Sequence, residues 1–197
     1  LYYFLRLRLQ WRSLQKNLSL VDSTMPDSTQ SDLHVSWSDY HRSIEKLAAQ
    51  IYRSDWQFDQ IVCLAKGGLR VGDVLARIFD APLAILSTSS YRGTSQSRSS
   101  LVFSKDLTMT SLGLGSHVLL VDDLVDSGVT LQKAIPWLDR HYGFYIEEVR
   151  TAVLWYKACS VIKPDYYVDY LEHNPWIHQP FEKYERMEPI DLLNLEE

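Results

Sequence analysis

An α/β fold, with a central, mostly parallel sheet flanked by helices, is predicted by three observations. Short runs of β-branched residues and leucine recur along the chain, as strands buried on both faces require. Segments with apolar residues at helical spacing alternate with them. That alternation argues for parallel strands joined by right-handed crossovers. With 197 residues, 46% of them apolar and 23% charged, the chain suits one domain with a sizeable core and a surplus at the ends.

The surplus begins at the N-terminus. Leu1 to Leu20 carries Arg6, Arg8, Arg12 and Lys16 and no acidic residue, and arginine cuts its apolar run too early for a membrane span. Its charges follow the apolar start, the reverse of a secretory signal. An organellar transit peptide, an amphipathic surface helix and an extension upstream of a start at Met25 are the readings left open. Residues 1–32 are therefore read as an extension outside the fold, which begins near Leu33.

Ser36 then offers an N-cap with Asp39 three residues on, and Tyr40, Ile44, Leu47 and Ile51 give the following helix one apolar face. Gln60 to Ala65 reads as a buried strand. It ends in Lys66-Gly67-Gly68-Leu69-Arg70, where two glycines permit a tight loop with N–H groups turned to a ligand and two cations beside it. Alone, that loop is also an ordinary βα turn. Val71 to Phe79 supplies a helix stopped by Asp80-Ala81-Pro82, and Leu83 to Leu86 a second strand. Ser87 to Thr110, crowded with Ser and Thr and carrying Arg92, Arg98 and Lys105, reads as a long polar loop or lid.

The most informative stretch is Val118 to Leu131. Val118 to Val121 reads as a buried strand, and Asp122, Asp123 and Asp126 sit where it would leave the sheet. Ionised aspartates offer only acceptors, so adjacent ones suit a vicinal diol or a hydrated Mg²⁺. Ser127, Gly128 and Thr130 present hydroxyls and backbone N–H groups to an anion at a helix N-terminus. In order, they describe a ligand with a sugar diol at one end and a phosphate at the other. Singly, each residue fits an acidic turn and a helix cap. Asp122-Asp123-Leu-Val-Asp126 also matches the Asp-Asp-x-x-Asp pattern of isoprenoid synthases. That pattern needs a helix, whereas here a β-type run precedes it and Ser-Gly interrupts it.

Leu131, Ala134, Ile135 and Leu138 mark the next helix, in which Pro136 predicts a kink or a later start. Val149 to Trp155 is a further strand with Lys157 just beyond its end, and Tyr166 to Tyr170 one more, partly exposed. Trp176, set between Pro175 and Pro180, is on its own more readily a packing residue than a ligand contact. Met187 to Glu197 belongs to an acidic tail, read as 183–197.

A net charge of −5 supplies no general field for nucleic acid, and no membrane partner is expected. Cys63 and Cys159 fit buried thiols in a reducing compartment, and the histidines show no paired spacing, so no structural zinc site is predicted.

The strand, acidic pair, third aspartate and Ser-Gly-x-Thr loop resemble the phosphoribosyl pyrophosphate (PRPP) motif of type I phosphoribosyltransferases. Lys66-Gly67-Gly68 resembles that family's pyrophosphate loop, with a cis peptide expected between Lys66 and Gly67, and Ser90-Tyr91 resembles a pair in its closing lid, about 87–110. Lys157, Trp176-Ile177 and Gln179-Pro180 resemble the base-recognition elements of the bacterial xanthine-guanine branch.

The resemblance implies a domain over 33–182 with a small C-terminal hood at about 157–182, and transfer of phosphoribose from PRPP to a 6-oxopurine in salvage. It implies Asp122 and Asp123 on ribose hydroxyls or Mg²⁺, and Asp126, Ser127, Gly128, Val129 and Thr130 at the 5′-phosphate. Lys66, Gly67 and Gly68 would hold pyrophosphate. Asp126 would manage the proton at purine N7, Lys157 would donate to the 6-oxo group, Trp176 would stack and the Ile177 backbone would read the ring edge. A cytoplasmic homo-oligomer is the accompanying expectation. A phosphoribosyltransferase with another acceptor, and a non-catalytic PRPP or nucleotide sensor, remain alternatives.

Overall fold

Successive side chains of a strand point to opposite faces, so a run that is apolar throughout needs cover on both sides. The computed structural model, which describes residues 32–91 and 100–195, supplies that cover. The order is β1 (Leu33–His34), α1 (Trp37–Arg53), β2 (Gln60–Ala65), α2 (Gly68–Phe79), β3 (Leu83–Tyr91), β4 (Ser100–Phe103), β5 (His117–Val121) and β6 (Leu124–Val125). Then come α3 (Val129–Tyr142), β7 (Glu148–Lys157), β8 (Tyr166–Leu171), β9 (Ile177–His178), α4 (Lys183–Arg186) and a 3₁₀ segment, Pro189–Leu195.

The main sheet runs β4-β3-β2-β5-β7, and β7 also pairs with β6 and β8. Every pairing in it is parallel except β3 with β4. Ile61, Leu119, Val121, Ala152 and Leu154 share one apolar layer with Tyr40, Ile44, Leu47 and Ile51 of α1 and Val71 and Leu75 of α2. Val62, Leu64, Val118, Leu120 and Val153 share the other with Leu131, Ala134 and Leu138 of α3. The Ser36 hydroxyl accepts from the Asp39 N–H at 3.1 Å, which fixes where α1 begins.

Several expectations change. α2 starts at Gly68, not Val71, because β2 turns directly into it. Ser87 to Thr110 is not one long loop: β3 continues to Tyr91 and returns antiparallel as β4, pairing Thr88 with Phe103 and Tyr91 with Ser100. A serine-rich strand lacks the apolar alternation that would mark it, and its antiparallel partner supplies the backbone bonds instead. α3 neither starts late nor stops at Pro136; the proline faces solvent while Leu131, Ala134 and Leu138 anchor the helix on both sides of it. Cys159 is exposed, since β7 ends at Lys157 and the cysteine falls on the turn after it; Cys63 is buried. Burial pushes the Cys63 thiol up to about 11. The short strands β1 and β9 pair in a small separate sheet. Residues 1–31 of the N-terminal extension, and Arg92 and Arg98, lie outside the described residues, whereas Asp32 is described and bonds to His178.

Leu119, fully buried at the centre of β5, sets the scale of the core. Leu119→Ala is expected to destabilise the protein by about 2–5 kcal/mol, read from the shift in urea midpoint at unchanged slope.

Candidate active site

The acidic pair lies in the short interval between β5 and β6. Val121 pairs with Ala152 and Leu124 with Trp155, so the register on β7 is unbroken across Asp122 and Asp123. The Asp122 N–H donates to the Ala152 carbonyl at 3.1 Å, and the Asp123 carbonyl accepts from the N–H groups of Leu154 at 3.0 Å and Trp155 at 3.2 Å. β5 ends at Val121, so Asp122 and Asp123 sit where that strand stops, as expected, and β6 resumes the pairing on β7 at Leu124.

Asp123 is buried and Asp122 half-buried. The Asp123 N–H donates to Asp122 Oδ1 at 3.0 Å, and Gln179 Nε2 donates to Asp123 Oδ2 at 2.6 Å. Burial, and then the charge of Asp123, hold the Asp122 carboxyl well above its usual range. Burial also raises Asp123, against the opposing hydrogen bond from Gln179. Among the described residues neither carboxylate has an ion-pair partner.

Gly67 and Gly68 lie directly against this pair. A Cβ on Gly67 would run into the Asp123 carboxylate, and one on Gly68 into the Val121 carbonyl, so only glycine lets the loop approach. The cis peptide is Ala65–Lys66, one bond before the expected one; Gly67 already has helical dihedrals as the N-cap of α2. Lys66 is exposed. Thr88 Oγ1 donates to the Ala65 carbonyl at 3.0 Å, tying the foot of the β3–β4 hairpin to this loop. Ser90 and Tyr91 lie at the end of β3, opposite Leu101 and Ser100.

Asp126 and Ser127 are exposed and lead to Gly128, whose φ of 78° is left-handed. α3 begins at Val129 with no side-chain cap, and Thr130 is its second residue, so the first N–H groups of the helix are not taken by a capping side chain. A Cβ on Gly128 would strike Ser160 Oγ and lie 2.8 Å from Ile162 Cγ2. The Ser127 carbonyl accepts from the Val161 N–H at 3.0 Å. The turn after β7 therefore braces the loop from below, a support that sequence spacing does not reveal.

Val125 pairs with Tyr156, which brings the next residues, Asp126 and Lys157, side by side. Lys157 Nζ lies 3.3 Å from Asp126 Oδ1; the lysine side chain is 7% exposed and the aspartate 61%. Lys157 is thus the last residue of β7 and not beyond it, because β8 extends the strand by pairing Leu171 with Lys157. Asn174 Oδ1 accepts from the Cys159 N–H at 3.2 Å, linking this corner to the segment that carries Trp176. Trp176 is 60% exposed, whereas the Ile177 side chain is in the core and leaves only its backbone for contact. The site thus offers adjacent carboxylates, an anion loop, a buried ammonium beside an exposed carboxylate, and a presented indole. Two residues are placed otherwise than the sequence suggests: Gln179 reaches Asp123 rather than the base elements it was grouped with, and Arg70, one of the cations beside the glycine loop, lies over the Phe181 ring at 4.1 Å.

Raised carboxyl pKa values mean that the folded state holds protons the unfolded state releases. Stability without metal is then greatest below the usual aspartate value of 3.8 and falls as pH rises through the folded values. Urea midpoints in chelator are expected to drop across that window, and Asp122→Asn to flatten the profile and raise neutral-pH stability. Gly128→Ala should lose about 1–2 kcal/mol from the left-handed backbone alone and more from the clash with Ser160 and Ile162.

The phosphoribosyl transferase domain family matches residues 36–186. A xanthine-guanine phosphoribosyltransferase of Idiomarina loihiensis is 29% identical over 155 residues, covering 77% of this chain and 87% of that protein. A hypoxanthine phosphoribosyltransferase of Haemophilus influenzae is 32% identical over 108 residues, covering 52% of this chain and 59% of its own. Among solved structures, a purine phosphoribosyltransferase from Pyrococcus horikoshii is 27% identical with a TM-score of 0.63, covering 76% of this chain and 92% of that one.

Proposed function

Because the chain belongs to the phosphoribosyl transferase domain family, we propose that it transfers the 5-phosphoribosyl group of PRPP to a 6-oxopurine and releases pyrophosphate. The observation that carries the reading is the contact of buried Lys157 with Asp126, which sets a base-recognising donor against the last carboxylate of the sugar-phosphate motif.

In this reading the purine N9 attacks C1′, the bond from C1′ to pyrophosphate breaks, and configuration inverts. Asp126 takes the proton leaving N7 as the N9 bond forms. Lys157, which can only donate, favours an oxo group over an amino group at position 6. Trp176 stacks on the ring, and the Ile177 backbone meets its edge. Asp126, Ser127, Gly128, Val129 and Thr130 hold the 5′-phosphate at the start of α3, while Lys66, Gly67 and Gly68 hold pyrophosphate. Asp122 and Asp123 hold the ribose hydroxyls directly or through Mg²⁺.

The acidic pair fits a divalent cation: two crowded carboxylates, both raised by burial and without an ion-pair partner among the described residues, gain from one. Mg²⁺ bound there would neutralise charge on the leaving pyrophosphate. The β3–β4 hairpin, with Ser90 and Tyr91, closes over PRPP and excludes water from an electron-poor C1′. No residue acts as a nucleophile; positioning and charge neutralisation carry the rate.

A cytoplasmic homo-oligomer completes the proposal. The exposed apolar side chains of Leu112, Phe144 and Tyr145 support a covering second copy, and sedimentation at micromolar concentration checks it; a monomer would remove that part.

The deciding experiment measures pyrophosphate release from PRPP and Mg²⁺ with xanthine, guanine, hypoxanthine, adenine and a pyrimidine. Turnover is expected with 6-oxopurines, reduced by about 10²–10⁴ in Asp126→Asn; Lys157→Ala should erode the preference over adenine. Activity with the pyrimidine alone would point to another acceptor. PRPP binding without turnover of any base would point to a sensor.

A further inference from the structure

His34 and His178 stand on the same rung of the small sheet, since Leu33 pairs with Ile177 and His34 with His178. Leu33 and Ile177 pack on the core, so period-two alternation turns both imidazoles to the opposite side. The rings stack with centroids 4.3 Å apart and planes 12° apart. Backbone bonds fix the rung: the Leu33 N–H donates to the Trp176 carbonyl at 2.8 Å and the Val35 N–H to the His178 carbonyl at 3.0 Å.

Asp32 completes the group, its Oδ2 lying 2.9 Å from His178 Nε2. One ligand atom from each of Asp32, His34 and His178 lies within 4.8 Å of the other two. On the other edge of the His178 ring, Glu182 Oε2 stands 3.6 Å from Nδ1. His178 is far in sequence from Asp32 and His34, which is why spacing along the chain gave no zinc expectation.

We propose that Asp32, His34 and His178 form a binding site for a divalent transition-metal ion of the zinc type, distinct from the acidic pair. Two imidazole nitrogens and one carboxylate oxygen are a donor set such ions prefer, whereas Mg²⁺ favours oxygen alone. A tetrahedral ion needs its ligand atoms about 3.4 Å from one another, given bonds of about 2.0–2.2 Å. The side chains of Asp32 and His178, 49% and 29% exposed, can rotate to close that distance. On binding, the proton shared between His178 Nε2 and Asp32 is released to solvent, and both atoms turn to the ion. Nδ1 keeps its proton and points it at Glu182, the outer carboxylate that commonly orients a metal-bound histidine. Water fills the fourth position.

His34, His178 and Glu182 line a cavity of about 230 Å³ together with Gln179, Lys183 and Arg186. The charges of Asp32 and Glu182 offset those two cations, and Lys183 Nζ lies 5.0 Å from the Tyr184 ring centroid. Because β9 leads directly from Trp176 to Gln179, whose amide touches Asp123, an ion here would pin the strand between the base platform and the acidic pair.

Zn²⁺ titrated calorimetrically into chelator-stripped full-length protein tests this, with thermal unfolding as a second readout. A tight equivalent, with Kd in the micromolar range or below, is expected in the wild type and in the Asp122→Asn/Asp123→Asn double variant. His34→Ala and His178→Ala should each weaken it at least tenfold and abolish the zinc-dependent rise in Tm; Glu182→Gln should weaken it by about tenfold. Should His178→Ala fail to fold, His34→Ala and Asp32→Asn carry the test. The proposal is overturned by the absence of a tight equivalent, by binding indifferent to the histidine and Asp32 variants, or by binding lost only with the acidic pair.

Discussion

One stretch of parallel pairing, β5 and β6 against β7, sets the site. It holds Asp122 and Asp123 between two strands that share one register on β7, and delivers Asp126 beside Lys157 at the end of both β6 and β7. A break at the acidic pair would leave the Ser127–Thr130 loop and Lys157 on unrelated corners. The backbone bonds from Leu154 and Trp155 to the Asp123 carbonyl prevent that break.

The same pairing concentrates negative charge where the protein can least solvate it. Burial raises both carboxyls of the pair, the charge of Asp123 raises Asp122 further, and the Gln179 amide relieves only Asp123. Such a site disfavours the empty folded state and favours a cation and a polar ligand, the direction of compromise expected where function and stability compete. Glycine plays a matching part: Gly67 and Gly68 let one loop lie against the acids, and Gly128 turns the other into α3 over Ser160 and Ile162.

Periodicity made the long elements legible. The face of α1, the buried strands β2 and β5 and the ordered acidic motif could all be read from residue type and spacing. The end of β7 could not, because Lys157 belongs to the strand only through its partner Leu171 on β8. The β3–β4 hairpin was hidden for a related reason, as serine carries no apolar alternation. β1 and β9 are too short to have a period at all. Gln179 and the Asp32–His34–His178 group depend on the pairing of those two strands, a contact between distant parts of the chain that no local pattern encodes. Pro136 sits inside α3; whether a helix tolerates a proline depends on which side faces solvent, and that is decided by packing.

The central claim is that Asp126 and Lys157 together form the junction between the ribose site and a purine. A crystal structure with a 6-oxopurine nucleoside 5′-monophosphate tests it most directly. The account predicts the phosphate on the Ser127–Thr130 loop, Asp126 and Lys157 each within about 3 Å of N7 and the 6-oxo group respectively, and the ring against Trp176. A base held elsewhere, with Asp126 and Lys157 still paired only to each other, would contradict it.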